Sequence, residues 1–247
     1  MTPREVTLSY YKKSQVFLKR SKTSILVGAI MAGMLISMGG FATYTSTVDS
    51  AAFIGLGFTK ILRGLIFSFG LMSIVFSGGD LFTGTLLYVP GTTSKEKLEL
   101  VKRMGIVLFG NFLGSIFLYF VLSWAGSMST SFHDTIRPVA EAKLALSPFQ
   151  AVAAGFLCNF LVTLALRTIE ASSDFAGKAL ANALVIAVFI IGGFEHSVAN
   201  FFTLPAGMGI GVLATAAFYK NIFFVVIGNA LGGAFLGYMS NFIYKDL

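Results

Sequence analysis

The chain has 247 residues, of which 55% are hydrophobic and only 12% are charged. Soluble domains carry about twice that charged fraction, so the composition excludes an ordinary soluble protein and indicates a membrane protein with several spans. The formal net charge of +7 does not indicate a nucleic-acid partner, because the basic residues lie at the ends of apolar segments and form no single patch.

Residues 1–22 are polar and basic, and they precede the first apolar run. Because the stretch before that run is too long for a cleaved signal peptide, we interpret it as a cytoplasmic N-terminal segment. Its aromatic and leucine side chains alternate with basic ones, a pattern that favours an amphipathic helix on the membrane surface. Residues 23–247 are predicted to form one six-helix transmembrane domain, with a first half at about 23–124 and a second half at about 148–244.

Six apolar segments approach the length of about 20 residues that a membrane span needs. In chain order they are Thr23–Tyr44, Ile61–Gly78, Met104–Trp124, Pro148–Thr168, Ala179–Gly193 and Asn221–Tyr244. The second and fifth are short, because each runs into a glycine pair and polar residues before hydrophobicity resumes at 81–89 and 198–204. The sequence therefore predicts an all-α membrane protein with six transmembrane helices, of which helices 2 and 5 are broken.

Lysine and arginine are divided unevenly between the two ends of these segments. The side that holds the N-terminus collects thirteen, among them those of a loop at 91–103 and Lys245, whereas the other side has five. Because positive residues accumulate on the cytoplasmic side, both termini are predicted to be cytoplasmic in the cell inner (plasma) membrane. Lys143 is one of the five on the outer side, where we expect it in an extracellular loop.

The two halves of the chain contain similar motifs. Ser77–Gly84 and Ile191–Ser197 each combine a glycine pair, a carboxylate and a hydroxyl within an apolar stretch, and Gly110–Gly114 matches Gly228–Gly232. Since each half has three predicted spans, the second half is expected to lie upside down relative to the first. An inverted repeat with one interrupted helix per half indicates a transport site near the bilayer midplane, where irregular backbone must be buried in protein or line a cavity.

Ionisable residues within apolar segments are functional candidates. The imidazole of His196 titrates near neutral pH and can donate a hydrogen bond to an anion; the simpler interpretation is a buried imidazole satisfied by its neighbours. Asp80 and Glu195 would repel an anion, so we expect them to point away from its path and to accept backbone N–H bonds or orient a neighbour. Two roles, binding exposed backbone or binding the anion, stay open for Asn159, Asn200 and Asn229.

These motifs resemble the formate–nitrite transporter family, over residues 23–244. The matching segments are Gly78–Gly84, Gly110–Gly114, Cys158-Asn159, Gly193–Asn200 and Gly228–Gly233. The resemblance implies an aquaporin-like fold, assembled in the membrane lipid as a homopentamer with one pore per protomer. It implies as cargo a small monovalent weak-acid anion (formate, nitrite or hydrosulfide, with formate preferred), which permeates with a proton or in a pH-dependent way.

The resemblance also implies roles for individual residues. His196 is the implied central pore histidine, Thr83 faces it from the first broken helix, and Lys143 occupies the place of a vestibule lysine. The complete implied pathway is His196, Thr83, Lys143, Asn159, Asn200 and Asn229. The implied constrictions are Phe67 and Phe189 on the periplasmic side and Leu71, Leu81 and Phe82 on the cytoplasmic side. Structural support at the helix breaks is expected from Asp80, Glu195, Gly78, Gly79, Gly192 and Gly193.

Two other classes of protein match parts of this pattern. A water or neutral-solute channel of aquaporin type also has six spans and two half-helices, but it would carry Asn-Pro-Ala at both breaks, and the sequence has none. An intramembrane enzyme would need several converging ligands or a carboxylate pair, and only Asp80, Glu195 and His196 are candidates. Cys158, the single cysteine, excludes an intrachain disulfide and a cysteine-based metal cluster. We therefore predict a protein that is not an enzyme and needs no cofactor or metal.

Overall fold

The computed structural model describes residues 1–244, and all regular secondary structure in that range is helical. Ten α-helices are described: α1 Pro3–Lys19, α2 Lys22–Thr45, α3 Ser50–Ser77, α4 Phe82–Thr85, α5 Lys97–Trp124, α6 Thr130–Ala145, α7 Pro148–Ala171, α8 Phe175–Ile191, α9 Ser197–Met208 and α10 Ala216–Tyr244. Two 3₁₀ segments, Leu86–Gly91 and Ile210–Ala214, follow α4 and α9. Lys245, counted above among the cytoplasmic charges, lies outside the described residues.

Five of these helices, α2, α3, α5, α7 and α10, are long and apolar enough to cross a membrane. Helix α8 is apolar but has only 17 residues. The predicted all-helical class is confirmed, and five of the six predicted spans coincide with long apolar helices. The count of six spans stays a prediction, because α8 does not reach the usual length by itself.

Glycines bring the long helices together in pairs. A Cβ atom at Gly114 of α5 would overlap the carbonyl oxygen of Ile30 on α2, and one at Gly232 of α10 would overlap that of Phe156 on α7. Small residues at such crossings let helix backbones approach closely, which is the main source of packing energy between helices in lipid. The pair α2 and α5 is thus built like the pair α7 and α10.

The backbone leaves the helical conformation at two corresponding places, the first interruption (residues 78–81) and the second interruption (residues 192–196). Gly78 has φ +76° and Gly193 has φ +65°, values that glycine adopts without steric cost. The Asp80 amide donates to the Gly28 carbonyl of α2 at 3.0 Å, and the Glu195 amide donates to the Ala154 carbonyl of α7 at 3.3 Å. The two interruptions therefore dock onto α2 and α7 in the same way.

The N-terminal segment forms the predicted helix, α1, and packs against the protein itself. Thr2 caps it, because its side chain accepts from the Glu5 amide while the Glu5 carboxylate accepts from the Thr2 amide. Tyr10 and Phe17 are buried. At the end of α7, the Glu170 carboxylate accepts hydrogen bonds from Ser9 at 2.5 Å and Lys13 at 2.6 Å, so polar contacts reinforce the apolar docking of α1.

Two connections predicted as loops contain helix. Residues 130–145, which include the Lys143 placed above in an extracellular loop, form α6, and residues 97–103 are the first two turns of α5. Helix α6 escapes a search for spans because only one of its faces is apolar; Phe132, Ile136 and Ala140 are fully buried at successive turns. The expectation that Lys143 lies in a loop is wrong, and this lysine instead occupies the last turn of α6.

Candidate functional site

Two cavities reach the helix interruptions, one at each. The outer cavity, named for the predicted orientation, has a volume of about 520 Å³ and reaches Phe67, Lys143, Phe189, Glu195 and His196. The inner cavity has a volume of about 260 Å³ and is lined by Tyr10, Arg20, Leu71, Asp80, Leu81 and Tyr88 among others. Burial raises the pKa of the Tyr10 phenol well above its usual range, so this ring stays neutral beside the inner cavity.

Apolar side chains separate the two cavities. Phe67 lines the outer cavity and Leu71 the inner one, and these residues are one turn apart on α3, about 6 Å along its axis. The rings of Phe67 and Phe189 meet edge to face, with centroids 5.8 Å apart. Phe82 and Thr83 are buried and line neither cavity. Of the five residues expected at constrictions, Phe67 and Phe189 line the outer cavity, Leu71 and Leu81 line the inner one, and Phe82 lines neither.

His196 and Thr83 meet at this barrier. His196 precedes the first residue of α9, and its Nδ1 accepts a hydrogen bond from the Ala199 amide at 3.1 Å. Its Nε2 lies 3.0 Å from Thr83 Oγ1. Because a ring nitrogen that accepts carries no proton, the neutral imidazole has its hydrogen on Nε2 and donates it to the Thr83 hydroxyl. The single N–H of the ring thus points from the second half of the chain to the first.

Glu195, next to His196 in sequence, belongs to a different network. Its Oε1 accepts from Lys143 Nζ at 2.7 Å and its Oε2 from Asn200 Nδ2 at 2.7 Å. Asn200 also donates to Asn221, which donates to the Lys143 carbonyl. The carboxylate accepts hydrogen bonds from side chains of α6 and α9, not from backbone amides. It thereby fixes Lys143 at the wall of the outer cavity.

The first interruption carries a similar ion pair. Arg20, just after α1, donates from Nη1 to Asp80 Oδ1 at 2.7 Å, and the side chain of Asp80 is only 7% exposed. The other oxygen of Asp80 is buried and has no hydrogen-bond partner among the described residues. Arg20 stands shortly before α2 as Lys143 stands shortly before α7, a correspondence that the sequence reasoning missed because α6 was not predicted.

Two asparagines hold the backbone at the interruptions. Asn111 of α5 accepts from the Phe82 amide at 2.9 Å and donates to the carbonyls of Ala29 and Asp80. Asn229 of α10 accepts from the Ser197 amide at 2.9 Å and donates to the carbonyls of Gly155 and Glu195. Asn111 was absent from the predicted site residues, although its repetition as Asn229 in the two Gly-Asn motifs was a signal for it.

The remaining asparagine on the predicted pathway, Asn159, also binds protein groups. From α7 it donates to the carbonyls of Thr83 in α4 and Asn229 in α10, so it links the second half of the chain to the helix that follows the first interruption. The first amides of α4 and α9 are occupied by Asn111 and Asn229, which limits how far these helix ends can attract an anion. Among residues 1–244, no group of three or more His, Cys, Asp or Glu side chains is arranged to hold a metal ion.

A helical, multi-pass membrane protein in which apolar side chains and a buried polar contact separate two cavities belongs to the class of channels and transporters. The sequence profile described as formate/nitrite transporter matches residues 4–243. The chain therefore belongs to the formate/nitrite transporter family. The predicted resemblance is confirmed over almost the whole length of the protein.

Relatives and solved structures agree with this assignment. Formate channel FocA of Haemophilus influenzae is 28% identical over an alignment of 273 positions, gaps included, which covers 99% of this chain and 95% of the relative. Formate channel FocA of Escherichia coli K12 is 31% identical, with coverages of 84% and 81%. A solved structure titled as a pentameric formate channel with formate bound is 30% identical, covers 92% of this chain and 99% of that one, and superposes with a TM-score of 0.80. These relatives are channels and not enzymes.

The substitution Asn111→Leu should destabilise the protein strongly. It keeps the approximate volume of the side chain but leaves the Phe82 amide and the Asp80 carbonyl of the buried backbone without these partners. Since each such group costs about 1–3 kcal/mol, we expect the free energy of unfolding to fall by about 2 kcal/mol or more. Thermal unfolding in detergent measures this, with the partly exposed Asn241→Leu at the end of α10 as the matched control. Equal losses in the two variants would contradict a special role for Asn111.

Proposed function

We propose that this protein passes small monovalent weak-acid anions, with formate preferred over nitrite and hydrosulfide, across the cytoplasmic membrane. Membership of the formate/nitrite transporter family and the similarity to formate channels support this function. The observation that carries it is the contact between His196 and Thr83, one titratable group set between apolar side chains where two cavities approach each other.

The proposed architecture has six spans related by an inverted repeat. Helices α3 and α4 form one broken span, and α8 and α9 form the other, which would make up for the short length of α8. The matching contacts of the two interruptions with α2 and α7 support this repeat. We further propose a homopentamer, since one structural neighbour is titled a pentameric formate channel, and an orientation in the inner membrane with both termini in the cytoplasm.

The apolar barrier determines what can cross. A bare anion passing Phe67, Phe189 and the leucines would lose most of its hydration, which costs many kcal/mol in a medium of low dielectric constant. A weak acid avoids this cost if it crosses as the neutral species. In our proposal Lys143 helps to draw the anion into the outer cavity, and the anion gains a proton from bulk water or by way of His196. The neutral acid passes the barrier and ionises again in the inner cavity.

The geometry of His196 limits its part in this sequence. An imidazolium cannot accept a hydrogen bond from the Ala199 amide, so protonation on Nδ1 would remove the bond that caps the start of α9. The neutral ring therefore offers the cargo a hydrogen bond from Nε2, which the anion would accept in place of Thr83. Giving that proton up would leave an imidazolate, so the proton that neutralises the anion comes from the water of the outer cavity. Thr83 keeps the N–H oriented between transport events.

Proteoliposomes containing the purified protein should take up formate and nitrite, and uptake should rise as the pH falls because the neutral acid becomes more abundant. Radiolabelled formate uptake and its inhibition by nitrite or hydrosulfide rank the three anions. Liposomes without protein are the control. Rapid water or glycerol flux without anion uptake would instead support the aquaporin-type alternative.

His196→Ala should reduce formate uptake and change its pH dependence. Loss of a hydrogen bond to a charged group costs about 1.5–3 kcal/mol, so we expect a decrease of about tenfold or more. His133→Ala is the matched control, since His133 binds the Ala206 carbonyl and lines neither cavity. The proposed role of His196 is wrong if the two variants transport formate equally well and with the same pH profile.

Lys143→Ala should weaken transport most at low anion concentration. The substitution removes a positive charge from the wall of the outer cavity and leaves Glu195 unpaired, so the local concentration of anions falls. Initial rates over a range of formate concentrations separate KM from maximal rate. An equal loss at saturating formate would argue against a capture role and for a purely structural one.

A further inference from the structure

The charges that line the outer cavity do not balance. Lys60, Arg63 and Lys143 contribute three positive charges, and Glu195 contributes one negative charge. Lys143 and Glu195 are joined at 2.7 Å, so together they add no net charge to the cavity, although the Lys143 ammonium still attracts an anion at short range. No carboxylate among residues 1–244 lies within salt-bridge distance of Lys60 or Arg63. The uncompensated positive charge of the cavity therefore belongs to these two residues of α3.

Of the two, Arg63 is held in a defined position. Its Nε donates to Thr47 Oγ1 at 2.9 Å, and the Thr47 hydroxyl is itself oriented because it donates to the Thr43 carbonyl at 2.8 Å. The guanidinium carbon lies 5.3 Å from the centre of the Tyr44 ring, a distance typical of a cation–π contact. Lys60 has no such contacts among the described residues.

These contacts leave most of the Arg63 head group available. A guanidinium has five N–H donors, and the bond to Thr47 uses one of them. The terminal nitrogens Nη1 and Nη2 have no hydrogen-bond partner in the described part of the chain. Arg63 lies one helical turn from Phe67, about 6 Å along the axis of α3, so an anion that reaches the barrier from the outer cavity passes close to it.

We propose that Arg63 is an anion-binding residue of the outer cavity and that it favours planar anions with two oxygens, such as formate and nitrite, over hydrosulfide. Two parallel N–H donors of a guanidinium match the two oxygens of a carboxylate-like anion, and this bidentate geometry adds specificity to the attraction of charge. Hydrosulfide offers a single sulfur atom, so it gains the electrostatic attraction to the guanidinium but not the paired hydrogen bonds. This inference rests on the proposed transport function and adds a selective entry site to it.

Kinetics of formate uptake by proteoliposomes test the proposal. Arg63→Gln should raise the KM for formate about tenfold at low ionic strength while the maximal rate stays within about twofold, because capture and not passage is impaired. Arg63→Lys keeps the charge without the planar fork and should restore only part of the affinity. Thr47→Val keeps the arginine but removes the group that positions it, and an intermediate KM is expected. Lys220→Gln, which removes a positive charge that lines no described cavity, is the matched control.

Competition by hydrosulfide tests the selectivity. In Arg63→Lys, hydrosulfide should inhibit radiolabelled formate uptake more effectively relative to nitrite than in the wild-type protein. The proposal is overturned if Arg63→Gln retains the wild-type KM, or if Arg63→Lys restores formate and hydrosulfide affinities equally and completely. If the wild-type protein takes up none of the three anions, the proposed function itself is wrong. Should Arg63→Gln not assemble, Arg63→Lys and Thr47→Val decide the outcome by the same measurements.

Discussion

The structure depends on satisfying backbone polar groups where two helices stop inside an apolar layer. Lipid offers no hydrogen bonds to an unpaired amide or carbonyl, so each interruption needs internal partners. Asn111 and Asn229 supply them, and each bridges its interruption to the helix packed against it. The tight glycine crossings of α2 with α5 and of α7 with α10 bring these amides within reach. In both halves of the chain, therefore, the close helix packing is what allows the asparagine to bind the interrupted backbone.

Because the asparagines bind the backbone at the interruptions, the carboxylates of Asp80 and Glu195 can bind basic side chains. Asp80 binds Arg20 and Glu195 binds Lys143, so each interruption is tied to the amphipathic helix that precedes its half of the bundle. A carboxylate paired in this way contributes little repulsion to an approaching anion. Adjacent residues thus divide the work: Glu195 secures the wall of the outer cavity, and His196 faces the barrier with its one N–H.

The apolar spans were predictable because nearly every residue of a helix inside the membrane must be apolar, and such a long apolar run is visible in the sequence. The first predicted span, Thr23–Tyr44, differs from α2 by one residue at each end, and the fourth begins at the first residue of α7. Helix α6 was missed because its apolar face becomes visible only when the partner that covers it is known. Lys143 was consequently expected in an extracellular loop, whereas it lies in a helix, and its side chain is 14% exposed and bound to Glu195.

By itself the sequence determined the class of protein, the positions of the apolar helices and the two glycine pairs that interrupt them, since these follow from composition and from local conformational preference. The tertiary structure decided the pairing of polar groups. Arg20 and Asp80 are 60 residues apart in the chain, and Lys143 and Glu195 are 52 apart. No local pattern specifies such contacts, because they arise only when packed helices bring distant side chains together in a medium where unpaired charges are too costly to leave.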